Sequence, residues 1–109
     1  MSTSATVFYQ FVGPGGKTGA IGVYLHGDGY PSHTQVALES MSYEQVRDMV
    51  EEAVRNRTYI SYISSDGEYR LGSGTQETYH SWPIPARQAL KYNYLKRVDG
   101  TVTRDTGWE

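Results

Sequence analysis

Four titratable side chains are crowded into one short run, His26-Gly27-Asp28-Gly29-Tyr30-Pro31-Ser32-His33. Glycines on both sides of Asp28 permit a tight backbone path, and Pro31 fixes the exit. Polar groups on a loop anchored by a rigid element are a usual way to build a site. Three chemistries compete for His26, Asp28, Tyr30 and His33. Asp28 could bond loop amides while Tyr30 packs and the histidines are solvated, as in ordinary Asx turns. The loop could instead be a ligand or partner surface, since tyrosine is enriched at interfaces. A metal or acid–base site needs a further group from elsewhere in the chain, and His80 is the outside candidate. A small hydrolase or nuclease would use His26, Asp28 and His80 as its acid–base set, with Lys17 or an arginine near a phosphate. The reading adopted is the surface: a non-enzymatic binding protein with no metal and no cofactor.

Two other segments carry reactive or anchoring groups. Gly16-Lys17-Thr18 invites a phosphate-loop reading. That pattern needs a glycine where this chain has Phe11, and a helix directly after it, where Ala20 to His26 reads as strand. A hairpin tip from which Lys17 touches an anion fits better. In Tyr79-His80-Ser81-Trp82-Pro83-Ile84-Pro85 the prolines force an extended path. There Trp82 is either an anchor for a partner or a lid on the core, and tryptophan is mostly buried.

The elements that must position these groups follow from pattern. Thr6 to Val12 and Ala20 to His26 are β-branched and aromatic runs joined by a glycine-rich turn, which predicts a hairpin. Gly22 inside the second run predicts a bulge or a close backbone approach. Ser32 to about Ser40 predicts a short helix with Ser32 as its N-cap. Ser42-Tyr43-Glu44-Gln45 is a capping box, and Val46, Met49, Val50, Ala53 and Val54 recur on one helical face, so a helix is placed at 43–56. Strands are expected at Thr58 to Ser64 and Glu68 to Leu71, with a short one at Gln76 to Trp82. Leu90 to Val98 alternates, with Leu90, Tyr92, Tyr94 and Val98 on one face. Asp99-Gly100 signals a type I′ turn into Thr101 to Arg104, and the tail from Asp105 to Glu109 is expected to fray. The sum is an α+β fold: an antiparallel sheet of about six strands, with one main helix and a weaker short one on one face.

Composition narrows the function classes. The chain has 109 residues, enough for one domain over 1–109 and no second core. Cysteine is absent, which removes disulfides, thiol catalysis and zinc ribbons. Ten Lys and Arg against 12 Asp and Glu leave a net charge of −2, which argues against a duplex nucleic-acid partner. No apolar run is long enough for a membrane span and no signal-peptide pattern opens the chain, so a cytoplasmic protein without a membrane partner is expected. Ten tyrosines exceed what so small a core needs. The surplus predicts a tyrosine-rich contact surface and self-association into a homo-oligomer.

The strand-end pattern His-x-Asp-Gly-Tyr-Pro, here His26, Asp28, Gly29, Tyr30 and Pro31, resembles a segment of small uncharacterised bacteriophage and prophage proteins. Many of those segments carry Trp where this chain has Gly27. The resemblance covers about a tenth of the chain and brings no activity with it. It implies a phage or mobile-element origin, where small acidic proteins act by binding and blocking host components. The function expected is therefore a binding protein, in one concrete form an inhibitor of a host defence system in the host cytoplasm. Its partner is a protein or a small nucleotide-like ligand, met by His26, Asp28, Tyr30, His33, Lys17, His80 and Trp82.

Overall fold

The structure is a computed structural model that describes residues 3–105. Its order is β1 (Ala5–Val12), β2 (Thr18–Leu25), α1 (Thr34–Ser40), α2 (Tyr43–Arg55), β3 (Ile60–Ile63), β4 (Tyr69–Leu71), β5 (Tyr92–Lys96) and β6 (Val102–Asp105). The strands form one six-stranded sheet in the order β4-β3-β2-β1-β5-β6. Of the expected tail, residues 106–109 lie outside the described residues.

The sheet is mixed, and this corrects the antiparallel expectation. The tight turns do give antiparallel pairs, β1 with β2, β3 with β4 and β5 with β6. The two long connections do not. Residues 26–59 return through both helices, so β3 enters parallel to β2, and residues 72–91 cross back so that β5 runs parallel to β1. A crossover of that length delivers the chain to the same end of the sheet, which only a parallel neighbour accepts.

Both helices cover one face. Val46, Met49, Val50 and Ala53 of α2, with Ala37 and Leu38 of α1, close on Val7, Tyr9, Val23, Leu25, Ile60, Ile63 and Tyr94. The capping box forms as expected: Gln45 N donates to Ser42 Oγ and Ser42 N to Gln45 Oε1. The helix over 34–40 also exists, but its N-cap is His33 and no side chain caps it, so Ser32 does not have that role.

Among the described residues, the opposite face carries no helix. Residues 79–89 cover it irregularly, with Tyr79, Trp82, Ile84 and Ala89 packed on Phe8, Ala20 and Leu95. The strand expected at Gln76 to Trp82 reduces to one antiparallel bridge, Tyr79 with Gly22. The close approach at Gly22 comes from Phe8, its partner on β1, and from a ring rather than backbone: a Cβ there would meet the Phe8 ring at 2.5 Å. In β5, Tyr92 and Tyr94 face the helices as expected, whereas Leu90 and Val98 lie outside the strand. At the following turn only Gly100 has a positive φ, so a type I′ turn, which needs Asp99 there too, does not form.

Candidate functional site

The loop between β2 and α1 is tied down at its centre. Gly29 N donates to Thr3 O at 2.7 Å. The buried Tyr94 hydroxyl donates to Gly29 O at 2.6 Å, and Thr34 Oγ1 donates to Asp28 O, also at 2.6 Å. Burial raises the pKa of the Tyr94 phenol, which keeps it a donor. The left-handed residue is Asp28 itself (φ 56), a conformation that Asp tolerates better than most side chains. Neither flanking glycine has a positive φ. Gly29 is needed for space instead, since a Cβ there would sit 2.6 Å from Ala5 Cβ.

This fixed backbone presents two groups of rings along β3. In the first, the exposed His26 lies beside Tyr59 and Tyr24, with centroids 6.1 Å and 6.0 Å away. Ser4 Oγ, Tyr24 Oη and His26 Nδ1 form a chain of contacts at 2.8 Å and 3.2 Å. In the second, His33 lies between Tyr30 and Tyr62, at 6.1 Å and 5.8 Å. His33 Nε2 donates to Ile63 O at 2.6 Å. A carbonyl only accepts, so Nε2 holds the proton and only Nδ1 remains for a guest. Tyr30 and Tyr62 are each 38% exposed, large rings left in water where the rest of the loop is pinned.

Lys17, His80 and Trp82 belong to the other end of the sheet. Tyr79 opposes Gly22, so the antiparallel register sets His80 opposite Ile21, five residues below His26 on β2. At about 3.3 Å per residue the two histidines are separated by roughly 16 Å along the strand. His26, Asp28 and His80 therefore do not converge on one reacting atom, and the acid–base set drawn from them has no common reach. Among the described residues no group of three or more His, Asp or Glu side chains could hold a metal ion. Trp82 lies edge-on to Phe8 at 5.2 Å and partly closes the core. It also walls a cleft with His80, Ser81, Gln10, Thr18, Gly19, Ala20 and Leu95. Lys17 is exposed at the hairpin tip. Its extended backbone leads directly into β2, and alternation puts its side chain on the other face of the hairpin from Thr18 and Ala20.

Much of the tyrosine surplus has an internal use. Tyr9 donates to Glu51 at 2.8 Å, Tyr69 to Glu52, and Tyr43 to Gln10 O, each tying α2 to the sheet or its edge. Burial, and then the Glu51 carboxylate, raise the Tyr9 phenol. Sequence reasoning missed Tyr24, Tyr59 and Tyr62 as neighbours of the loop, and Gln10 as part of the cleft. The spacing of Tyr59 and Tyr62 in the third strand was the available signal, but nothing local says that β3 lies beside β2.

Among the described residues no helix is long and apolar enough to cross a membrane. No protein-family model, no curated protein and no solved structure matches the chain.

Proposed function

We propose that this chain is a non-catalytic binding module that docks a partner protein on the surface made by loop 26–33 and β3. The observation that carries this reading is the cluster of Tyr30, His33 and Tyr62, half-exposed on a backbone fixed by the Gly29 and Asp28 contacts. Ordering a loop before binding lowers the entropy cost of association, and tyrosine rings supply contact area with few rotors. The rings lie on an open surface, which suits a protein better than an enclosed small ligand. Within the same proposal the chain is of phage or mobile-element origin, and the partner is a host defence component that it blocks in the host cytoplasm.

Self-association is the second part of the proposal. Phe11, Val12 and Val98 are exposed by 37%, 58% and 45%. Val98 N bonds to Gln10 Oε1, so the three lie at the hairpin end, away from the loop, with Phe11 and Val12 on opposite faces of β1. Burying these side chains between copies would release apolar surface from water. Sedimentation over a range of protein concentrations checks it, and a monomer throughout rejects it.

The test of the partner reading is affinity capture from the native host's lysate with the wild type and with the Tyr30→Ala and Tyr62→Ala variants. Each variant is first shown to unfold as cooperatively as the wild type. One protein retained by the wild type and lost by both variants supports the surface. Identical capture by all three rejects it.

A further inference from the structure

The cleft at the hairpin end is separate from the loop and has features of its own. Its volume is about 270 Å³, just under the roughly 300–1,000 Å³ of drug-sized sites, so it suits a fragment-sized guest. Thr18, Gly19 and Ala20, all small, line it from β2, and Trp82 and Leu95 supply its bulkier apolar lining. Trp82 is held by its edge contact with Phe8.

Gln10, Thr18, His80 and Ser81 supply the polar lining, and among the described residues no Asp, Glu, Lys or Arg contributes to it. Gln10 is fixed twice, its Oε1 accepting from Val98 N at 3.1 Å and its backbone carbonyl from the Tyr43 hydroxyl. With Oε1 committed, the Nε2 protons are the donors that Gln10 has left. Among the described residues, no hydrogen bond engages the side chains of Thr18, His80 or Ser81.

We propose that this cleft binds a neutral, flat heteroaromatic compound of nucleobase or nicotinamide size. The guest lies against the Trp82 ring, and Gln10 Nε2 donates to its carbonyl or ring nitrogen. His80 and Ser81 meet its outer polar edge. A charged guest is disfavoured because, among the described residues, no Asp, Glu, Lys or Arg lines the cleft to offset its desolvation. The proposal is independent of the partner surface at the other end of β2.

The test is a titration of the full chain with hypoxanthine, with nicotinamide and with benzoate, followed by amide and indole shifts in NMR spectra. Expected are saturable shifts at Gly19, Ala20, Ser81 and the Trp82 indole with at least one neutral probe, and none with benzoate. Gln10→Met, which keeps the side-chain length, should weaken binding about tenfold, the size of one hydrogen bond. Ser81→Trp should abolish it by filling the cleft, whereas Tyr30→Ala should leave it unchanged. Absence of saturable shifts with both neutral probes overturns the proposal. So does binding of benzoate as tight as nicotinamide, or undiminished binding by a folded Gln10→Met variant.

Discussion

The hydroxyl of Tyr94 and the carbonyl of Gly29 meet at 2.6 Å beneath the loop, joining a fully buried residue of β5 to the middle of segment 26–33. Tyr94→Phe keeps the ring and leaves the Gly29 carbonyl without that donor. An abandoned buried acceptor costs about 1–3 kcal/mol. The urea midpoint should fall accordingly, and amide exchange should speed up at Gly29 and Tyr30 more than in α2. Wild-type stability in this variant would show that the loop is held by something else.

The two loop glycines should respond differently to substitution. At Gly29 a Cβ would also lie 2.8 Å from Thr3 O, and backbone cannot yield as a side-chain tip can. Gly29→Ala should therefore cost about 1–3 kcal/mol, as overpacking does. At Gly27 the nearest atom is Ser61 O at 3.5 Å, an ordinary contact. Gly27→Ala should change stability by less than about 0.5 kcal/mol, in the manner of most surface changes. Gly27→Trp should also fold, because position 27 is only partly buried and its Cβ meets only that ordinary contact. Thermal unfolding of the three variants checks the order, and equal losses at both positions would contradict it.

What the sequence disclosed was local. The Ser42–Gln45 capping box and the Val46 to Ala53 face specify α2 because capping and a 3.6-residue period act within a few residues. Gly22 likewise signalled a bulge or a close backbone approach, although what comes close is the Phe8 ring. The order of strands was illegible for a different reason: residues 26–59 and 72–91 carry no turn signal that distinguishes a crossover from a return. The same gap scattered the candidate site. His26 and His33 were legible as one loop, but the separation of His80 from them depends on the register of Tyr79 against β2.

Stability should decline at alkaline pH through the tyrosines bonded to carboxylates or buried. Tyr69 is pushed up to about 12 by its hydrogen bond to Glu52 and by burial. Tyr9 and Tyr94 are raised too, each chiefly by burial. Unfolded tyrosines titrate near 10. A folded pKa above the unfolded one stabilises fully below about pH 10, and that contribution is lost as the pH rises through the folded values. Lys96, lowered by burial, acts in the opposite sense and recovers part of the loss. The urea midpoint should fall between about pH 10 and 12, and less steeply in Tyr69→Phe. A midpoint independent of pH over that window would refute the assignment.

Lys96 is 1% exposed, yet its Nζ donates to Leu38 O at 2.7 Å, near the C-terminal end of α1. That helix has seven residues and no basic residue in its last turn, so β5 supplies the cation its terminal carbonyls favour. Burial lowers the Lys96 pKa, the direction expected when an ammonium is taken out of water. Lys96→Ala removes both the donor and the packed stem, and should destabilise by about 2–5 kcal/mol, as truncation of a long buried side chain does. Lys96→Met keeps the stem and relieves the cost of burying charge, so only the unpaired carbonyl remains, at about 1–3 kcal/mol before that relief. Alanine should thus be clearly worse than methionine. Because α1 begins directly after His33, loss of its tether should also loosen the contact of His33 with Tyr62, seen as faster amide exchange through residues 33–38 in both variants. Equal stability of the two variants would mean that the stem contributes nothing, and unchanged exchange would mean that α1 is held without Lys96.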